Sequence, residues 1–298
     1  MSITEAQLEG WTGQGSVQGS ANTYASIQNA LSQVNNLKQN VDFEVYLQGS
    51  YKNDTNIRGD SDVDVVVQIN SIFKQDLEAL SFEEKASFMK TYSDATYTWS
   101  EFKQDVLSCL RTYYGWNMVD EGNKSLKVKA SGNRLPADVV VCLQYRKYKS
   151  FYSLGVQNFI EGMCFWTRDE RRLVINYPKR HYGNGVNKNA STSGMYKPII
   201  RMMKNARRYL VDSRLLADGV APGYFIECLL FNAPGNLFKR PLYSTYIGLI
   251  SWMITAIKDN SYNNFLCQNQ VTKLYGNEPE QWNVNDTLKY IQALLSIV

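Results

Sequence analysis

The chain has 298 residues, of which 44% are hydrophobic and 20% are charged, and its formal net charge at pH 7 is +4. A chain of this length and composition folds around a sizeable core, and its mild positive charge permits a phosphate-bearing substrate without requiring a nucleic-acid duplex. The five cysteines are scattered and His181 is the single histidine, so neither a zinc site nor a histidine-based catalytic triad is expected.

The N-terminal part is predicted to be helical, with a short helix from Ser2 and a longer one after a Gly- and Ser-rich break. In the longer helix the apolar residues recur at helical spacing, at Ile27, Leu31, Val34 and Leu37. The first residues lack the basic and apolar runs of a signal peptide, and the longest apolar stretch, 243–257, is too short to cross a membrane. We therefore expect a cytoplasmic protein with no membrane partner, and a buried core helix over 243–257.

The central pattern of the sequence is LQGSYKNDTNIRGDSDVDVVVQI, which covers residues 47–69. It predicts a strand that ends at Gly49 and Ser50, a short polar connection, and a second strand that begins with two aspartates. Side chains alternate along a strand, so Asp62 and Asp64 project the same way and repel each other unless a cation neutralises them. Carboxylates at this spacing suit Mg²⁺ or Mn²⁺, and the amides after Gly49 together with the Ser50 hydroxyl suit phosphate.

Each part of this pattern also has a simpler interpretation. Most isolated Asp-x-Asp pairs are surface turns, and a Gly-Ser pair is ordinary turn chemistry. Here, however, the aspartates enter VDVVVQI, which has the valine-rich composition of a strand covered on both faces. Because charged residues are rarely buried without a partner, this position favours a bound ligand over a surface turn.

The following segment predicts helices over 83–92 and 100–115 and strands over 116–119, 125–129 and 136–144. Ser81 is suited to cap the first of these helices, since a glutamate follows it three residues later. In the last strand, LPADVVVCLQY, Asp138 stands at the head of another valine run. A single aspartate in this position is often only a polar residue at a strand edge, so the residues alone leave its role open.

The segment GSYKNDTNIRGDSDVDVVV resembles the DNA polymerase β-like nucleotidyltransferase superfamily, and more narrowly the bacterial cGAS/DncV-like nucleotidyltransferases (CD-NTases) of anti-phage signalling. The resemblance implies an α/β (α+β) fold, with a mixed-sheet catalytic lobe and N-terminal spine helix over 1–177. A helical lobe over 178–298 would close the active-site cleft. It also implies that Asp62, Asp64 and Asp138 are catalytic and together bind two Mg²⁺ ions, or Mn²⁺ in their place.

The resemblance also assigns nucleotide-binding residues. Gly49 and Ser50 would contact the phosphates. In the helix predicted over 195–214 the cations are, on composition alone, a solvated basic face, but the resemblance directs Lys204 first, and Arg201 second, to the triphosphate. Related enzymes carry Ser-Tyr where this chain has Gly223-Tyr224, so we expect Tyr224 to stack on the base while the serine contact is missing.

Two other segments carry predictions of their own. The run HYGNGVNKNASTS over 181–193 is polar and rich in Gly and Asn, which predicts a connection without regular structure. Glu227 lies in an apolar helix and is predicted to be the buried structural partner of a lysine or arginine.

Taken together, the residues and the resemblance predict an enzyme that condenses nucleoside triphosphates (ATP, GTP or others) into a cyclic oligonucleotide second messenger and releases pyrophosphate. The bases and the linkage depend on side chains that the sequence does not locate. Alternatives are a nucleotidyltransferase with another acceptor, such as an RNA 3′ end or a small molecule, a catalytically silent nucleic-acid sensor, or a structural protein with a degenerate site. The resemblance further implies a downstream effector and, in some members, a regulatory protein that acts on the C-terminus; a nucleic-acid activator is not indicated.

Overall fold

A computed structural model describes residues 2–15, 17–33, 41–59 and 62–298. In these residues it has ten α-helices and seven β-strands, and the strands form one mixed sheet. The chain divides into two compact units. The helical unit comprises Met1–Ser16, Gly49–Asp60 and Lys179–Val298, and the sheet unit comprises Val17–Gln48 and Ser61–Pro178.

The elements follow one another in a mixed order. The helices are α1 (Glu5–Trp11), α2 (Gln18–Gln33), α3 (Gly49–Asn53), α4 (Phe82–Thr91), α5 (Trp99–Tyr114), α6 (Pro178–Ser191), α7 (Tyr196–Asp212), α8 (Gly223–Phe231), α9 (Leu242–Lys258) and α10 (Val284–Leu295). The strands are β1 (Phe43–Leu47), β2 (Val63–Asp76), β3 (Val119–Glu121), β4 (Leu126–Val128), β5 (Ala137–Ser153), β6 (Val156–Trp166) and β7 (Leu173–Asn176).

The sheet is built around the pairing of β2 with β5. The strand order is β1-β2-β5-β4-β3, and β6 pairs with both β5 and β7. Strands β2 and β5 run parallel, whereas the other described pairings are antiparallel. The valine run Val65–Val67 is completely buried, as expected for a strand with both faces covered. The two aspartate-bearing segments are therefore at the centre of the sheet.

Helices α4 and α5 begin where their capping signals predict. Ser81 accepts a hydrogen bond from the main-chain N–H of Glu84, whose carboxylate in turn accepts one from the N–H of Ser81. Thr98 and Glu101 form the same capping box at the start of α5. Such caps satisfy main-chain donors that the first helical turn leaves unpaired, and they fix the boundary of the helix. The capping prediction for Ser81 is confirmed.

The helical unit has its own apolar core, formed by α7, α8, α9 and α10 with residues of α1. The apolar stretch predicted to be a core helix is α9, and its inward side chains, such as Leu249 and Met253, are buried. Among the described residues no helix combines the length and the apolar character needed to cross a membrane.

The segment 181–193 differs from its prediction, because most of it belongs to α6 rather than to an irregular connection. Tertiary contacts outweigh the low helix propensity of its Gly and Asn residues. Gly185 is buried against Gln268, and a Cβ at that position would lie 2.5 Å from the Gln268 Nε2. Asn184 donates to the Gln268 carbonyl at 2.7 Å, and Lys188 donates to the Ala233 carbonyl at 2.7 Å.

Smaller differences concern the limits of single elements. Residues 116–118, predicted as part of a strand, form a 3₁₀ turn, because Gly115 ends α5 at a φ of 97° and its carbonyl accepts the N–H of Met118. Strand β5 continues to Ser153, well beyond the predicted limit of 144. Val34 and Leu37 of the predicted N-terminal helix lie outside the described residues. The predicted lobe limits, 1–177 and 178–298, stay a prediction.

Candidate active site

Asp64 and Asp138 lie side by side at the centre of the sheet. The parallel pairing of β2 with β5 makes them direct Cα partners. Neighbouring strands are about 4.8 Å apart and partners in a parallel pair project from the same face, so the two carboxyl groups share one face. Both residues are half-buried. Main-chain hydrogen bonds fix their place, since the Asp64 carbonyl accepts the N–H of Gln48 at 3.0 Å and Val63 donates to the Pro136 carbonyl at 2.9 Å.

Asp62 lies one residue before β2 and is exposed. A cation, Lys127, is the Cα partner of Asp138 on β4, on the side away from β2. Cross-strand partners in an antiparallel pair project from the same face, so Lys127 contributes a positive charge to the face that carries the two aspartates. Nothing in the short run LKV identified this lysine as part of the site.

The donor chemistry at this face fits a divalent metal ion. Two carboxylates on neighbouring strands repel each other, and a cation bound to both of them relieves that repulsion. Within the described ranges no group of three or more His, Cys, Asp or Glu side chains is arranged to hold a metal ion. The structure thus brings Asp64 and Asp138 together, and a site completed by Asp62 stays a prediction.

The Gly49–Ser50 turn belongs to the helical unit and begins α3. Gly49 has a φ of 68°, a left-handed conformation that side chains disfavour, so glycine meets a backbone requirement at this position. The Ser50 carbonyl accepts the N–H of Thr55 at 3.0 Å, which closes the short loop after the turn. The contact of Gly49 and Ser50 with phosphate stays a prediction.

The cations of α7 contact the segment that follows this turn. Lys197 Nζ lies 2.7 Å from the Asp54 carboxylate, and Arg201 Nη1 donates to the Asp54 carbonyl at 2.6 Å. Further along the helix, Arg208 donates to the carbonyl of Arg58. Residues three or four apart share a helix face, so one stripe of α7 binds the chain over 54–58. This stripe is not the solvated basic face that composition alone predicts.

Lys204 belongs to the same stripe and is buried in an ion pair with Glu227. Its ammonium lies 2.5 Å from Glu227 Oε1 and 3.2 Å from the carbonyl of Thr55. The other carboxylate oxygen of Glu227 lies 2.9 Å from His181 Nε2. The predicted buried cationic partner of Glu227 is confirmed, whereas the contact of Lys204 and Arg201 with a triphosphate stays a prediction.

Opposing effects act on the Glu227 carboxyl. Burial raises its pKa, but the charge of Lys204 and the hydrogen bond with His181 outweigh burial and hold the pKa well below its usual range. Glu227 is therefore charged at neutral pH although it is almost completely buried.

Tyr224 lies in the first turn of α8 and is partly exposed. Its ring stacks on His181 with the centroids 5.1 Å apart and the planes at 23°, and 43% of the residue is exposed. At Gly223, a Cβ would lie 3.2 Å from Lys204 Cε, so the serine of related enzymes would be crowded here. The stacking of Tyr224 on a nucleotide base stays a prediction.

Sequence reasoning missed the polar side chains that contact Glu227 from the segment after the turn. Asn53 Nδ2 lies 3.3 Å from Glu227 Oε2, and Thr55 Oγ1 lies 2.7 Å from Glu227 Oε1. The available signal was the glutamate itself, an acidic residue in the apolar run GYFIECLLF. It indicated a buried partner but not which of many polar residues would supply it.

Parallel strands with facing aspartates, and a Gly-Ser turn before the first of them in the chain, favour a nucleotidyltransferase, and the family comparisons show that class. Residues 29–113 match the nucleotidyltransferase domain, and residues 183–298 match the cGAS/DncV-like nucleotidyltransferase C-terminal helical domain.

Whole-chain relatives extend this match. The chain is 46% identical to the cyclic UMP-AMP synthase of Rhodothermus marinus over 99% of this chain and 97% of that protein. It is 38% identical to the cyclic nucleotide synthase CdnE01 of Staphylococcus haemolyticus, over 98% and 97% of the two chains. A solved structure of the Rhodothermus marinus CdnE c-UMP-AMP synthase with Apcpp and Upnpp superposes with a TM-score of 0.89, 43% identity, and coverage of 99% and 96%.

The chain therefore belongs to the cGAS/DncV-like nucleotidyltransferases. The predicted fold class is confirmed, as is the prediction of an enzyme that makes cyclic oligonucleotides. Nucleotidyltransferases generally use divalent metal ions.

Proposed function

We propose that the chain condenses ATP and UTP into a cyclic dinucleotide with release of pyrophosphate, and that this product is a second messenger of anti-phage signalling. The choice of bases is supported by the Rhodothermus marinus relative, which is named for a UMP-AMP product and is similar over 99% of this chain. In this proposal a downstream effector binds the product, and a regulatory protein acts on the C-terminus.

The observation that carries the proposal is the placement of Asp64 beside Asp138 on parallel strands. We assign Asp62, Asp64 and Asp138 as the ligands of two metal ions, Mg²⁺ or in its place Mn²⁺. Bound there, the metal would lower the pKa of the attacking ribose hydroxyl and stabilise the charge of the departing pyrophosphate. The contribution of the protein is positioning, because the register of the sheet holds Asp64 and Asp138 on one face before any ligand binds.

Gly49 and Ser50 are proposed to bind the phosphates and Tyr224 to stack on a base. The left-handed Gly49 and the partial exposure of Tyr224 support these roles. Lys204 and Arg201 are proposed to assist phosphate binding, since both are held against the segment that follows Ser50.

The test is to incubate the purified protein with the four nucleoside triphosphates and Mg²⁺ or Mn²⁺, treat the products with phosphatase, and analyse them by mass spectrometry. We expect a phosphatase-resistant product that contains UMP and AMP and is absent with Asp64→Asn. Asp120→Asn is the matched control, because Asp120 lies on β3 and pairs with Lys129 at 3.0 Å. Equal turnover by Asp64→Asn, or addition of nucleotides only to RNA 3′ ends, would overturn the proposal.

A further inference from the structure

We infer that Glu227 is a positioning residue for nucleotide binding: from α8 it holds the segment 53–57, and through this segment it sets the position of the Gly49–Ser50 turn. The inference rests on the proposed phosphate role of that turn.

The segment after the turn is buried although most of it has no regular structure. Asn53, Thr55, Asn56 and Ile57 are all buried, and residues 55–57 belong to neither a helix nor a strand. Buried main chain of this kind must find its hydrogen-bonding partners outside a helix or sheet ladder. The course of the segment therefore depends on side chains that other elements present to it.

Glu227 contacts this segment at two points. Asn53, which donates to Oε2, is the last residue of α3, the helix that begins at Gly49. Thr55, which donates to Oε1, lies in the irregular chain two residues later. One carboxylate thus joins the end of the turn-bearing helix to the chain that leaves it.

The charge of Glu227 matters as well as its shape. Lys204 bonds both to the carboxylate and to the Thr55 carbonyl, so the ammonium and the carboxylate bind the same point of the segment from two helices. A neutral side chain at 227 would leave the Lys204 ammonium buried without its counter-charge, and hydrogen bonds to a charged acceptor are stronger than those to a neutral one. We therefore expect the turn to lose its fixed position when the carboxylate is neutralised.

The experiment compares Glu227→Gln and Thr55→Val with wild type by steady-state kinetics of product formation and by thermal unfolding. We expect Glu227→Gln to raise KM for the nucleotides by about 10-fold with kcat changed less than about 3-fold. This is the pattern of a variant that binds the substrate and the transition state more weakly by the same amount. Thr55→Val removes one hydroxyl from the network and should raise KM by roughly 3-fold to 10-fold.

Thr245→Val is the matched control for a purely structural effect. Thr245 is buried in the same unit, and its hydroxyl donates to the carbonyls of Leu237 and Lys239. We expect this variant to unfold at a lower temperature with an unchanged KM. If Glu227→Gln and Thr55→Val behave like Thr245→Val, the inference is wrong, and if Glu227→Gln does not fold, Thr55→Val decides alone.

A Ser50→Ala variant separates failure of this inference from failure of the proposed function. A raised KM in Ser50→Ala together with unchanged KM in the Glu227 and Thr55 variants would overturn the positioning role alone. An unchanged KM in Ser50→Ala would overturn the phosphate role of the turn and the inference that rests on it.

Discussion

Asp64 with Asp138 in the sheet unit and Glu227 in the helical unit show two ways in which a protein holds acidic side chains. The two aspartates are half-buried like charges on neighbouring strands, placed by main-chain register. Glu227 is buried, and a lysine, a histidine and two uncharged donors satisfy it within the protein. In the proposed function a bound cation stabilises the first arrangement, whereas Lys204 of the protein itself stabilises the second. The charge of the groups beside an acidic residue therefore says more about its role than its burial does.

The sharpest test of this contrast is to neutralise one aspartate of the sheet. Asp64→Asn should lower product formation by on the order of 10³-fold or more, because Asp64 is a metal ligand in the proposed function, and such a ligand contributes several kcal/mol of transition-state stabilisation. Its free energy of unfolding should stay unchanged or rise by up to about 1 kcal/mol, because like charges on facing residues are destabilising. Product assays and urea unfolding measure the two effects. A large loss of stability in Asp64→Asn would show that the sheet depends on this carboxylate structurally.

The same change of charge in the helical unit should have the opposite effect on stability. Glu227→Gln leaves the Lys204 ammonium buried without a counter-charge, and breaking a buried ion pair from one side costs about 3–5 kcal/mol. Adding Lys204→Met to Glu227→Gln should recover part of that loss. Urea unfolding of both single variants and the double variant gives the coupling energy, and strictly additive losses would contradict a direct interaction.

The pH dependence of stability sharpens the contrast further. The pKa of Glu227 is lowered by folding from its usual value of 4.5, so below about pH 4.5 the unfolded chain binds the proton before the folded chain does. Glu227 therefore contributes its full stabilisation above that pH and loses it as the pH falls. Lys204 and His181 face this carboxylate. The difference in unfolding free energy between wild type and Glu227→Gln should narrow as the pH falls from about 4.5 towards 3.5; a difference that does not narrow over this range would be the contrary result.

The smallest expected effect on stability comes from two glycines of one helix. It distinguishes the local helix propensity of a residue from its contacts with residues distant in sequence. Gly183 and Gly185 both lie in α6, but only at Gly185 does an added Cβ meet another group, the Gln268 amide, within 4 Å. That amide is held by the His181 carbonyl and the Tyr196 hydroxyl, so it cannot move away freely. Gly183→Ala should stabilise the protein by about 0.5–1 kcal/mol, and Gly185→Ala should destabilise it by about 1–3 kcal/mol. Thermal unfolding of the two variants is the measurement, and equal shifts would mean that Gln268 adapts.

The distinction between local and long-range interactions also explains which structural features can be predicted from the sequence. Features that depend on neighbours along the chain, such as the capping box at Ser81, the strand that begins after Asp62 and the turn at Gly49, are visible in short patterns. The resemblance to the family implies that Asp138 belongs to the same site as Asp64, whereas the residues around Asp138 in the sequence do not. The helix over 178–191 was missed because its glycines are poor helix formers in isolation, and their contact with Gln268 is distant in sequence.

The hydrogen-bond network around Glu227 shows most clearly what cannot be predicted from the sequence. A lone glutamate in an apolar helix predicts a cationic partner, and Lys204 supplies it. The choice of Thr55 and Asn53, which are 172 and 174 residues away, follows from the fold alone. The predicted triphosphate contact of Lys204 also came from resemblance, and the local pattern of α7 held no sign that its basic stripe binds the chain at 54–58.

The stripe of α7 has a consequence for how this region tolerates change over evolution. Arg201, Lys204 and Arg208 each donate to a main-chain carbonyl, and every residue type has one. The side chain of Arg58 can therefore be exchanged while the contact of its carbonyl with Arg208 persists, whereas Glu227 acts through its side chain and cannot be exchanged in this way. A helix that binds main-chain carbonyls holds a loop in place even when exposed side chains of that loop are substituted.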